Sequence, residues 1–159
     1  MIKPTEGQKP PPPVPEGPER DALVAELLDN ALDYLREAES LSSNGQGRSV
    51  AHACYYASFW LSRAVLVKQN GEYPWRHDST EALFAGIVAD AGVTSPLAEA
   101  LGLYIDLAKE RNLCDYDRRY RPTTERADEI RDGARRFFEI VKDAFNFRDE
   151  PPGPPRGHA

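Results

Sequence analysis

Arg111, Asn112, Asp115 and Tyr116 bring a guanidinium, an amide, a carboxylate and a phenol into one short stretch, RNLCDY. A helix turning about 100° per residue puts Arg111, Asn112 and Asp115 in one quadrant, with Tyr116 at its edge and Arg119 beside it if the helix continues. Arginine pairs bidentately with phosphate oxygens, and Asn or Asp can address ribose hydroxyls and base edges, so this set suits a phosphate or a nucleotide. A plainer structure is also open: an ion pair between Arg111 and Asp115 one turn apart, with Asn112 and Tyr116 pairing locally. Position favours a site. Leu101, Tyr104, Ala108, Arg111 and Asp115 follow the three-four spacing of a core-facing seam, where charged side chains are rarely buried unless paired. A seam between two copies of the chain would also explain the polar break.

Downstream, Arg118, Arg119 and Arg121 interleave with Tyr116 and Tyr120. Phosphate contacts beside aromatic rings are the physical recipe for single-stranded RNA. Arg126, Arg131, Arg135 and Arg136, by contrast, alternate with Glu125, Asp128, Glu129 and Asp132, which reads as an ordinary solvated face. His52 shares a helical face with Tyr55, Tyr56, Phe59 and Arg63, the setting of a core or interface histidine. His77 sits in a loop beside Trp75 and Arg76, where a local structural role is the default. Neither has a neighbouring nucleophile. The sequence contains no HExxH, no phosphate-cradling Gly-rich loop and no carboxylate cluster of metal-binding type, so neither metal nor cofactor is expected. Cys54 and Cys114 have no CxxC partner and read as reduced, buried groups.

These residues must be positioned by a small helical fold. The 159 residues are 40% hydrophobic, which suits one domain with a modest core. The formal net charge of -6 argues against nonspecific attraction to nucleic acid by the whole molecule and leaves local patches to do such work. No stretch approaches the roughly 20 apolar residues that span a bilayer, and the start is Pro-rich rather than a leader. A soluble cytoplasmic protein is expected.

Between Pro-rich tails at 1–18 and 148–159, the pattern is helical throughout, with no period-two run that would make a strand. His158 falls in the second tail, and the proline run from Pro10 to Pro13 in the first. A first helix from about Arg20 to Leu41 carries Val24, Leu27, Leu28, Ala31, Leu35 and Ala38 on one stripe. SSNGQG ends it. The second, about Arg48 to Gln69, is apolar around most of its circumference and should be central. A short third helix opens with a capping box of Asp78 and Glu81 and ends near Gly92. Ser95 and Pro96 start a fourth, which carries Leu101 through about Tyr116. Thr123 or Thr124 caps a last helix striped by Ala127, Ile130, Ala134, Phe137, Val141 and Ala144. The expected fold is all-α: an up-and-down antiparallel bundle of four principal helices plus a short extra one, over 19–147.

Three segments in this order, AHACYYASFWLSRAVLV, RHDSTEALFAGIV and RNLCDYD followed by a capped helix, resemble HEPN domains, over about Arg20 to Phe147. The resemblance implies a helical bundle that dimerises, often in a toxin–antitoxin or nucleotidyltransferase-associated setting. Active members are thought to cut RNA without a metal, using an Arg and a His four to six residues apart. Arg111 matches the Arg; Tyr116, Asp117 and Arg118 stand where the His would be. The chain instead resembles the branch with Arg-Asn followed by Asp-Tyr. Loss of the imidazole removes the side chain best suited to proton transfer near neutral pH. The expected function is binding of a nucleotide or RNA at a dimer groove built from Arg111, Asn112, Asp115, Tyr116 and Arg119. Two alternatives stand beside it. One is a metal-independent endoribonuclease using Arg111 with His77 or His52 in place of the motif histidine. The other is an interaction partner for a nucleotidyltransferase. Such enzymes are thought to attach a nucleotide to a tyrosine near the motif, which points to Tyr116 or Tyr120.

Overall fold

The computed structural model describes residues 13–74, 77–92 and 94–147. The side chains of His77 and Asp78, and most of both Pro-rich tails, lie outside that description, so the capping box at Asp78 and the role considered for His77 do too.

Five helices form close to where the periodicity predicts them: α1 Pro18–Ser40, α2 Gly47–Asn70, α3 His77–Ala91, α4 Pro96–Tyr116 and α5 Thr124–Phe145. Their ends follow from local chemistry. Ser95 Oγ accepts the Leu97 N–H at 3.2 Å, and Thr123 Oγ1 accepts the Arg126 N–H at 3.1 Å, each satisfying one of the orphan donors at a helix start. Gly71 ends α2 in the left-handed region at φ 64°, where its N–H returns to the Leu66 and Val67 carbonyls.

Helix α2 is central, packing against all four others, and is buried along most of Val50 to Val67. Its N-terminus meets the start of α5, with Gly47 so close to Pro122 that an added Cβ would lie 3.1 Å from the Pro122 carbonyl oxygen. Its C-terminus meets the end of α5 through Lys68. Helices α2 and α5 therefore run parallel across the short diagonal of an otherwise antiparallel bundle. Helices α1 and α4 sit on the long diagonal and do not touch. On the α4 side of the α2–α5 pair lies an aromatic core. Tyr104 stacks with Tyr55 at 6.1 Å and Phe137 at 5.9 Å, and Phe84 meets Tyr104 at 6.2 Å and Phe137 at 5.8 Å, so one ring cluster joins α2, α3, α4 and α5. Burying each such side chain contributes about 1.5–3 kcal/mol. Ala38, Ala51, Cys54, Cys114 and Ala134 are smaller and let the helices close at the other end.

Two expectations need correction. The α5 arginines are more than a solvated face. They do make intrahelical pairs, such as Arg131 with Asp128 and Arg135 with Asp132. The same side chains also clamp both neighbours: Arg135 holds Glu39 of α1, and Arg136 holds Glu99 of α4 at 3.1 Å. Arg126 reaches Asp106 at 2.9 Å and the buried Glu110 at 3.2 Å. An i,i+3 alternation looks the same whether or not another helix lies within reach. The α4 seam is also rotated. Its buried stripe is Leu97, Ala100, Tyr104, Leu107, Glu110 and Cys114, because α4 is wedged between α2 and α5 and its inward face bisects them. Leu101, Ala108 and Arg111 lie half-buried on the flank of that stripe, and Asp115 is exposed.

Basic side chains from neighbouring helices close three helix C-termini. Neither α1 nor α4 has a basic residue in its last turn, although the last carbonyls of a helix attract positive charge. Arg131 donates to the Ala38 carbonyl at 3.0 Å and the Leu41 carbonyl at 2.6 Å. Arg48 donates to the carbonyls of Cys114, Asp117 (3.3 Å), Arg118 (3.3 Å) and Tyr120 (3.2 Å). Lys68 donates to the Phe145 carbonyl at 2.6 Å.

Candidate functional site

Because α1 and α4 flank α2 without meeting, one face of the N-terminal half of α2, with Ser49 and His52, lies open between them, while α3 packs farther along, where Thr80 accepts from the buried Arg63 at 3.4 Å. The open stretch forms a shallow cavity of about 250 Å³ lined by Glu37 of α1, Arg48, Ser49 and His52 of α2, and Cys114 and Asp115 of α4. Ser49, His52 and Tyr56 follow three-four spacing and so share one face of α2. His52 is exposed rather than a core histidine; its ring rests on Tyr56 at 4.7 Å, and Tyr56 stacks on Tyr34 of α1 at 5.5 Å. The His52 ring thus lies in the cavity beside two carboxylates, and the Tyr56 and Tyr34 rings border it through that stack.

Arg111 borders that aromatic stack. Its guanidinium lies over the rings of Tyr55 at 5.0 Å and Tyr56 at 5.8 Å, a favourable cation–π placement. Its Nε is 2.9 Å from Asp115 Oδ2, so the ion pair of the plainer structure is present. Charge and direction disagree here. The Nε–H is not aimed at that oxygen and stands as a buried donor without a hydrogen bond. We read the contact as coulombic, because a short separation with poor alignment gives attraction but little hydrogen-bond energy. That Nε–H is closed to solvent, so what Arg111 brings to the edge of the groove is the charge of a guanidinium stacked on Tyr55 and Tyr56.

The remaining sequence candidates lie farther out. Asn112 is exposed and does not line the cavity. Tyr116 is 88% exposed and Leu113 48%, the two large apolar groups most open to solvent among the described residues. Arg118 and Arg119 are exposed in the turn after α4, and Asp117 accepts the Arg119 N–H at 2.9 Å, which fixes that turn. Tyr120 is different: its hydroxyl donates to Glu110, and burial together with that hydrogen bond pushes the phenol up to about 12. The Cys114 thiol is also raised, by burial and then by the nearby Glu110, so it presents no thiolate to the groove at neutral pH.

Glu37, Arg48 and Ser49 line the groove and Tyr34 and Tyr56 border it, yet none of them is among the candidates marked by the sequence. The stripe Ser49–His52–Tyr56 on a mostly apolar helix was a usable signal. The missing basic residue in the last turn of α4 called for a cap from elsewhere, which Arg48 supplies. Nothing in the spacing of α1 marks Glu37.

Chemically, the groove can stack a planar ring, accept hydrogen bonds at Glu37 and Asp115, and offer a guanidinium and an imidazole at its edges. Among the described residues no helix is long and apolar enough to cross a membrane. No curated protein and no solved structure matches the chain. The family model of the HEPN domain matches residues 24–144, most of the bundle from α1 to α5 and both sides of the groove. With that match spanning well over half of its length, the chain belongs to the HEPN domain family.

Proposed function

We propose that this chain is a HEPN module that binds RNA or a nucleotide in the groove over α2, in a toxin–antitoxin or nucleotidyltransferase-associated setting, with a second copy completing the groove. Family membership supports the nucleic-acid-related class and dimerisation. One observation carries the choice of site: the Arg111 guanidinium rests on the Tyr55–Tyr56 rings, beside the cavity that holds His52 and Asp115. Stacking surfaces bordered by guanidinium groups bind unpaired nucleotides, at about 1–3 kcal/mol per stacked base. Arg118 and Arg119, exposed just beyond, suit the flanking phosphates, and the exposed Leu113 suits contact with the second copy. Titration of fluorescein-labelled single-stranded RNA tests this. Arg111→Ala and Tyr56→Ala should each weaken binding at least about tenfold, and unchanged binding in both would refute it.

A second function is favoured by the position of His52, a metal-independent endoribonuclease in which His52 moves protons that the motif histidine would move. Cleavage of a structured RNA in EDTA, abolished by His52→Ala or Arg111→Ala, would support it. Cleavage that survives those variants and His77→Ala would count against it.

A nucleotidyltransferase partner fits the same membership. If it modifies this chain, Tyr116 is the better target, since its phenol is open whereas that of Tyr120 is tied to Glu110. Mass mapping after co-expression with the neighbouring-gene enzyme should find the added nucleotide on Tyr116 and none in Tyr116→Phe.

A further inference from the structure

The groove has an unusual charge balance for a nucleic-acid site. Arg48 lines it, but its guanidinium is committed to carbonyls at the end of α4. Arg111 is neutralised by Asp115. Glu37 is left as a carboxylate with no ion pair or side-chain hydrogen bond among the described residues, and it faces the same cavity as the exposed His52 ring. An anionic acceptor beside a stacking surface is poorly suited to a phosphate. It suits the donor edge of a base.

The bases differ sharply in what they present to a carboxylate. The Watson–Crick edge of guanine offers two adjacent donors, N1–H and N2–H, which two carboxylate oxygens accept together. Adenine and cytosine pair one amino donor with a ring-nitrogen acceptor, and uracil sets its single N3–H between two carbonyl oxygens. Each of those three would press a lone pair against the second carboxylate oxygen. A purine also covers more of the His52–Tyr56 surface than a pyrimidine. The cavity, about 250 Å³, lies below the ~300–1,000 Å³ of drug-sized pockets and so suits one base with its sugar and phosphate outside.

We infer that the groove selects an unpaired guanine, with Glu37 accepting N1–H and N2–H while the base stacks over His52 and Tyr56. This rests on the groove being the RNA or nucleotide site and adds the base it prefers. Asp115 is less suited to the task because Arg111 already draws on its charge.

Equilibrium dialysis of the full chain against GMP, AMP, CMP and UMP, repeated with Glu37→Gln, tests the inference. Glu37 is exposed, so the substitution should not disturb folding. GMP should bind roughly tenfold more tightly than UMP, as a bidentate base contact allows, and that ratio should fall to within about twofold in Glu37→Gln. Equal affinity for all four, or a guanine preference that Glu37→Gln leaves intact, overturns the guanine assignment while leaving the groove as a nucleotide site. No binding of any nucleotide or of single-stranded RNA by the wild-type chain overturns both.

Discussion

Arg111 and Asp115 pair one turn apart at 2.9 Å, on the flank of α4 that faces α2 rather than in the middle of the core. With Asp115 41% exposed at its side chain, such a pair adds little stability, about 0.3–0.5 kcal/mol. Arg111→Ala should therefore lower Tm by only a few degrees, read by calorimetry, while RNA binding falls at least about tenfold. A large Tm loss with unchanged binding would mean that the pair is structural only.

Arg48 holds the end of α4 and the turn after it through its contacts with four carbonyls. Arg48→Ala leaves those carbonyls without their charged donor and should cost about 1–3 kcal/mol in urea unfolding. Hydrogen exchange should speed up over residues 117–121. If that turn keeps its protection, the cap is not what orders it.

Glu39 is held below the usual carboxylate range by its hydrogen bond from Arg135, which outweighs the opposing burial, and the Arg135 and Arg131 charges add to the lowering. A depressed folded value stabilises the fold fully above the unfolded value, near about 4.3, and this stabilisation is lost as pH falls through the folded value. Glu39→Gln should thus melt earlier than wild type at neutral pH, with the gap closing in acid. A gap that stays constant down the acid limb would rule out this linkage.

Arg118 and Arg119 are exposed in the turn after α4, which Arg48 of the groove holds through its carbonyl contacts. If they meet phosphates, each Arg→Ala change should reduce the slope of log K against log salt by about 0.7, the value per single-strand phosphate. A slope unchanged in the double variant would place the phosphates elsewhere.

Helices were legible in the sequence because caps and periodicity are local. Ser95, Thr123 and the stripe Ala127–Ile130–Ala134–Phe137–Val141 behave as their spacing implies, though Ala144 at the end of that stripe is exposed. Arg111 and Asp115 were legible as a pair for the same reason. The groove was not, since it depends on which helices fail to touch. His52 looked like a core residue because its neighbours Tyr55 and Phe59 are buried; only the gap between α1 and α4 leaves it open. Glu37 and Arg48 needed that same nonlocal geometry, as did the α5 arginines that reach across to Glu39 and Glu99.

Photocrosslinking tests the groove most directly. Single-stranded RNA carrying 4-thiouridine beside guanine would be bound to the full chain, irradiated and mapped by mass spectrometry. Crosslinks are expected at Tyr56, Tyr34 and His52, and they should disappear in Arg111→Ala. Crosslinks confined to the α5 arginine face, or to the separate cavity beside Lys68 and Lys142, would contradict the groove as the binding site.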